Sequence, residues 1–246
     1  MILNASIIFA FAVFGFTTSV NIPDYIHVCK RTDPDVSKCI KESIELIRPR
    51  LTNGIQELGV PALDPLRIQD FDAGRGSRNF KVILKNIDVA GASDFQLNKL
   101  KVNIPNLTFR IQVALPLLRL TGLYDVNARI LVVPFKGEGK FYANASNCAV
   151  NAVLKGELID ANGEEQLHFS KLDMKLLIGD YNIKLESTDN NDPILVQAAS
   201  DVLNQNRKDF IEVVTPFLET RISEILLEIA NDIVKHFSYE NLFPEK

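Results

Sequence analysis

From Pro193 to about Phe237 the chain reads as a single helix whose apolar residues do not keep to one face. Leu195, Val202, Leu203, Phe210, Val214, Phe217, Leu218, Ile222, Ile225 and Ile229 recur at steps of three and four, while Ile211, Val213, Leu227 and Val234 fall off that stripe. At 1.5 Å per residue such a helix runs on the order of 65 Å, longer than most domains of this size are wide. A helix that is apolar on more than one side must be covered on more than one side. The run Asp189-Asn190-Asn191-Asp192 before Pro193 supplies N-terminal capping groups, and Pro216 is expected to bend the helix midway.

The cover has to come from the preceding residues. Between about Leu66 and Leu185 the hydrophobic period changes to two. Phe80, Val82 and Leu84 alternate with Lys81 and Lys85, and Leu107, Phe109, Ile111, Val113 and Leu115 alternate with Thr108, Arg110, Gln112 and Ala114. Such alternation marks antiparallel strands with one dry and one wet face. Turns are expected at Ala73-Gly74, Gly91-Ala92, Gly137-Glu138-Gly139, Asn162-Gly163 and Gly179-Asp180. A shorter helix opens the tract at Asp33-Pro34, carries apolar residues from Val36 to Leu58, and should kink or split at Pro49. The expected class is α+β, a long C-terminal helix cradled by a strongly curved antiparallel sheet.

The N-terminus places this domain in a compartment. Ile7 to Phe16 is uncharged and apolar, about half the ~20 residues that span a bilayer, and small residues follow at Thr17 and Ser19. Residues 1–19 read as a signal peptide and 20–246 as one secreted, extracellular domain. In an oxidising compartment a Cys29–Cys39 disulfide is the default, the alternative being a buried thiol pair. Cys148 is left over, as a buried free thiol or a site of covalent dimerisation. Two glycosylation sequons follow. Asn144-Ala145-Ser146 lies in a loop-like run, whereas Asn106-Leu107-Thr108 lies in an apolar strand pattern that would restrict access.

Chemistry for a catalyst is missing from the pattern. The sequence has no G-x-S-x-G, H-E-x-x-H or C-x-x-C, and His27, His168 and His236 have no ligand spacing, so neither catalytic residues, a metal nor a cofactor is expected. A net charge of −4 argues against nucleic-acid partners and stable membrane association. Lysines such as Lys81, Lys85, Lys99 and Lys101 read as a solvated sheet face without functional weight.

Four stretches carry a resemblance: PDYIHVCKRTDPDVSKCIKESIELIRPRLTNGI near the start, LPLLRLTGLYDVNARILVVPFKGEGKFY in the middle, the C-terminal helix, and the closing YENLFP. Together they resemble the insect takeout and juvenile-hormone-binding family over nearly all of residues 20–246. Two departures are Asn204-Gln205-Asn206-Arg207 without a following Trp, and Ala128 where Gly is common. The resemblance implies a tubular lipid-binding fold in which the sheet wraps the helix around an elongated apolar cavity. It also implies a carrier of terpenoid, juvenile-hormone-like or fatty-acyl ligands in haemolymph or sensory-organ fluid, with circadian-clock-controlled proteins among its members; a monomer is expected. From composition alone the same apolar residues could pack as an ordinary core. The alternative function is an extracellular signalling or interaction protein of this fold with a filled cavity.

If the cavity exists, Phe210, Val214, Phe217, Leu218, Ile222 and Ile225 should form one wall, opened at Pro216 and facing Phe109, Ile111 and Val113. Tyr124, on the strand parity of Val126 and Ile130, is the expected hydrogen-bond donor to an oxygenated ligand.

Overall fold

The computed structural model describes residues 22–68, 70–72, 81–130, 133–161, 163–188 and 193–246. The apolar N-terminal run, the Ala73-Gly74 turn and the Asp189–Asp192 cap lie outside them. In chain order the elements are α1 (Val36–Leu51), β1 (Leu66–Ile68), β2 (Phe71–Asp72), β3 (Lys81–Ala90), β4 (Gln96–Asn103), β5 (Thr108–Ile130), β6 (Val133–Ala161), β7 (Glu164–Leu177), β8 (Asp180–Ser187), α2 (Pro193–Gln205), α3 (Arg207–Val234) and α4 (Tyr239–Leu242).

The scaffold is one very long hairpin. β5 and β6 pair antiparallel from Thr108↔Lys155 to Ile130↔Val133. The 29 residues of β6 would reach roughly 95 Å if straight, so the hairpin must coil. Each half of it has its own flanking strands. β4 and β7 pair with one half, ending at Gln96↔Ala114 and Ala149↔Leu177. β3 and β8 pair with the other, beginning at Ala90↔Arg119 and Ser146↔Asp180. β1 and β2 add to the outer side of β3.

Both changes of partner occur at one waist. There the ladder skips a step between Leu115↔Cys148 and Leu117↔Ser146, at Pro116, which has no N–H to give, and Asn147, whose φ is +52°. The inward face also changes phase there. Odd-numbered Phe109 and Ile111 pack inward on one side of the waist, and even-numbered Leu118, Leu120, Tyr124 and Val126 on the other. The simple period-two reading of β5 thus holds within each half but not across Pro116.

The helices close the strand edges with side chains. An edge strand leaves N–H and C=O groups unpaired, and these must be satisfied where they are covered. Asn231 of α3 accepts from the Phe169 N–H and donates to the Phe169 carbonyl, at 2.8 and 2.9 Å. Asn204 of α2 does the same for Ile183 on β8, at 2.9 and 2.7 Å. Ser200 accepts from the Leu185 N–H, Glu219 from the Leu176 N–H, and Ser37 of α1 from the Val102 N–H on β4.

Five sequence expectations are corrected. The C-terminal helix breaks at Asn206 rather than at Pro216, giving α2 and α3. The Asn206 side chain donates to the Val202 carbonyl at 2.8 Å, competing with helix continuation, while Pro216 is carried inside α3. Likewise α1 carries Pro49 but stops at Leu51, leaving Ile55 extended in an isolated bridge to Val60 and Leu58 in a short 3-10 turn. Gly137-Glu138-Gly139 is mid-strand in β6 rather than a turn. A Cβ on Gly139 would lie 1.9 Å from the Glu186 carbonyl oxygen, so this glycine serves close approach of β8. The two sequons exchange places: Asn144 is an exposed strand residue paired between Arg119 and Asn182, and Asn106 is exposed in the turn between β4 and β5. Leu107, at φ +42°, ends that turn and is not the first strand residue.

Candidate ligand-binding site

The core is in separate clusters at the two ends of the hairpin. At the first end Phe109 meets Phe169 edge-on at a centroid distance of 5.6 Å and Phe243 at 6.4 Å, with Cys29, Val36, Leu167, Val234 and Tyr239 around them. Cys29 and Cys39 are disulfide-bonded there. The C-terminal segment is fastened to the same arm by Arg31, whose guanidinium pairs with Glu240 and Glu245 and whose N–H donates to the Pro244 carbonyl. A further small cluster of Ile55, Leu58 and Phe237 lies beside it. This end is an aromatic plug.

The second end gathers Ile87, Val89, Tyr124, Phe135, Phe141, Leu185, Val196, Ala199 and Leu203, with Phe210 packed against them. It is more polar inside. The Tyr181 hydroxyl donates to the Leu203 carbonyl at 2.5 Å, and its ring lies 5.3 Å from that of Phe210. Burial pushes the Tyr181 phenol up to about 12, with Arg207 opposing and Asp180 reinforcing the shift. Tyr124 is buried, its ring 6.2 Å from Phe135, and its hydroxyl has no hydrogen-bond partner among the described residues. Burial raises its phenol pKa too. A sealed hydroxyl without a partner costs about 1–3 kcal/mol, so such a group asks for an acceptor.

α3 runs from one cluster to the other, and its 28 residues span roughly 42 Å. Val234 is its only buried residue among the described ones. Val214, Leu218, Ile222 and Ile225 are half-buried, as are Ile111 and Val113 on β5. The expected wall is therefore brought together only in part. Phe109 belongs to the plug, and Tyr124 with Phe210 to the opposite cluster. Phe217 leaves the wall altogether, 49% exposed beside Val213 at 57%.

Cys148 is a buried free thiol beside the waist, its pKa raised by burial. Among the three histidines, His27 lies within 4.8 Å of the Cys29 and Cys39 sulfurs, but both sulfurs are spent in the disulfide. His168 sits on β7 and His236 is exposed beyond α3. No helix among the described residues is long and apolar enough to cross a membrane. Sequence reasoning missed Tyr181, Phe135, Phe141 and the two edge-pairing asparagines. Phe135 and Phe141 flank the run read as a turn, and an asparagine that serves a strand more than 20 residues away leaves no local signal.

Comparison with known proteins bears on the whole chain. Residues 7–244 match the model of the haemolymph juvenile hormone binding protein family. A relative from Schistocerca gregaria, named "Putative beta-carotene-binding protein", is 25% identical over 221 residues, covering 89% of this chain and 88% of its own. The crystal structure of Takeout 1 from Epiphyas postvittana superposes with a TM-score of 0.72 at 20% identity, over 89% of this chain and 99% of that one. The likeness is one of fold. The chain belongs to the haemolymph juvenile hormone binding protein family.

Proposed function

We propose that this protein is a secreted, non-catalytic carrier that encloses a small hydrophobic molecule between α3 and the inner faces of β5 and β6. One observation carries the reading. Among the described residues no large side chain is fully sealed, the lowest exposure being 2% at Ser200, although 46% of the sequence is hydrophobic. Ordinary interiors are close-packed, so apolar side chains that stay half-accessible along a whole helix fit a wall around open space. Family membership and the carotene-binding name of the relative support a hydrophobic cargo.

The cargo class is terpenoid, juvenile-hormone-like or fatty-acyl, with Tyr124 donating to an oxygen of the ligand. Val113, Val214, Leu218, Ile222 and Ile225 form the middle of the wall. The signal peptide ends near Ser19, and Asn106 and Asn144, both exposed, accept glycans. The protein acts as a monomer in haemolymph or sensory-organ fluid, in circadian or feeding physiology. Native mass spectrometry of protein from its own tissue should show one bound lipid-sized molecule. Leu218→Trp should reduce binding of a fluorescent fatty-acyl or terpenoid probe at least ten-fold with little change in melting temperature. If the residue instead sits in packed core, overpacking will cost about 1–3 kcal/mol of stability and the carrier reading fails at this wall.

A further inference from the structure

The register of β4 to β7 assembles a basic block on the outer, polar face of the sheet. Lys99 and Lys101 on β4 stand beside Gln112 and Arg110 on β5. Next come Asn151, Val153 and Lys155 on β6, and then Lys175, Asp173 and Lys171 on β7. The cations are exposed. Asp173 is the acid within the block, held below the usual carboxylate range by the hydrogen bond from Lys171 and by the charges of Lys171 and Lys155. Lys175 reaches Glu219 on α3. Lys99, Lys101, Arg110 and Lys155 have no ion-pair partner among the described residues.

Two further features separate this block from an ordinary solvated face. Lys101 lies directly opposite Arg110, and Lys155 directly opposite Lys171. Like charges directly opposed across strands destabilise a sheet, so the fold retains here an arrangement that works against its own stability. The face is also grooved. A depression of about 570 Å³ runs over Lys99, Lys101, Arg110, Asn151 and Lys175, and one of about 330 Å³ adjoins it through Lys101 and Arg110 as far as Asn106.

We propose that this groove binds a linear polyanion of the sulfated-polysaccharide class. Ammonium and guanidinium groups spaced over four strands match a chain of repeated anionic groups, with Arg110 able to take an oxyanion through two donors. A bilayer surface fits less well, because the block offers Val153 as its apolar side chain and is concave. Single-stranded nucleic acid fits less well because the block has no aromatic ring for base stacking. The overall charge of −4 does not oppose the reading, since local fields over a few ångströms decide such contacts at physiological salt. The inference rests on the extracellular placement proposed above only for where the partner would be met, and not on the cargo.

The test uses the purified full chain, with heparin as the probe. The protein should be retained on a heparin matrix at low salt. Lys101→Gln/Arg110→Gln/Lys155→Gln should lose at least ten-fold in affinity, and its slope of log affinity against log salt should flatten by about two to three units. The same number of charges removed at the other end of the hairpin and on α3, as Lys85→Gln/Lys136→Gln/Lys208→Gln, should change neither. The melting temperature of the first variant should hold or rise, because it removes both like-charge pairs. Flow-through of the unaltered protein, or equal loss in both variants, would overturn the proposal, as would a fall in melting temperature specific to the first. Retention on phosphatidylserine vesicles but not on heparin would assign the face to a membrane instead. Lipid-probe binding, measured in parallel, should be the same in all three proteins, so failure here is distinguishable from failure of the carrier reading.

Discussion

The two ends of the β5–β6 hairpin solve the same problem with different materials. At the first end the edge of β7 is paired by Asn231, and the core behind it is Phe109, Phe169 and Phe243, tied down by the Cys29–Cys39 bridge and the Arg31 contacts to the C-terminal segment. At the second end the edge of β8 is paired by Asn204, but the core contains two tyrosines, one satisfied by the Leu203 carbonyl and one with no partner. One disulfide and one edge-on ring pair tie the first end together. Tyr239 puts a buried tyrosine in the plug too, so what sets the second end apart is the unpartnered hydroxyl of Tyr124, where an oxygen atom of a guest would gain a hydrogen bond. The comparison teaches that two halves of one hairpin can be covered in the same way at their edges while their cores differ in kind.

The largest expected effect tests the plug. Phe109→Ala should cost about 3–5 kcal/mol in urea unfolding, because its ring is buried and packs on Phe169 and Phe243. Leu218→Ala, on the half-buried wall, should cost much less, and comparable losses would erase the distinction between plug and wall. Cys29→Ser should cost about 3 kcal/mol, the loop entropy of a bridge spanning 10 residues. Affinity for a lipid probe at the other end should stay unchanged, and a parallel fall would show that the two ends are coupled.

The tyrosine end has a pH signature. The folded-state pKa of Tyr181 is raised to about 12, so the folded form holds its proton where the unfolded form, near 10, has lost it. Its contribution is therefore complete below pH 10 and falls away between about pH 10 and 12, by on the order of 2 kcal/mol. Tyr181→Phe should remove that slope while losing the neutral hydrogen bond at all pH values. The smallest effect sharpens the contrast most. Tyr124→Phe should leave the stability of the empty protein equal or slightly higher, and weaken an oxygenated ligand by about 0.5–1.5 kcal/mol but a plain hydrocarbon not at all. Equal losses for both ligands would make Tyr124 a packing residue.

Much of this architecture was legible locally. The change of period near Leu66, the helical run after Pro193 and the Cys29–Cys39 pair are each written within a few residues. Helical spacing also placed Val214, Leu218, Ile222 and Ile225 on one half-buried stripe, while Phe217, 49% exposed, shows that spacing alone does not fix burial. The wall residues on β5 were harder. Phe109 and Val113 share a face, yet Phe109 is plug, because which end of a long strand a residue belongs to depends on β4, β7 and α4 rather than on its neighbours.

The lysines mark the same boundary from outside. Read singly, Lys99 and Lys101 are solvated strand residues, and only the register places them against Arg110, Lys155 and Lys171. By itself the sequence determined the secondary-structure classes, the disulfide and which side chains are apolar, since period, cysteine spacing and composition are properties of the chain at short range. The tertiary structure decided the change of face at Pro116 and Asn147, the break at Asn206, the asparagine pairing of the strand edges and the unpartnered hydroxyl of Tyr124. Except for the break at Asn206, whose partner Val202 is only four residues away, these depend on which distant backbone group lies opposite, and one step of strand register would send every such side chain to the other face.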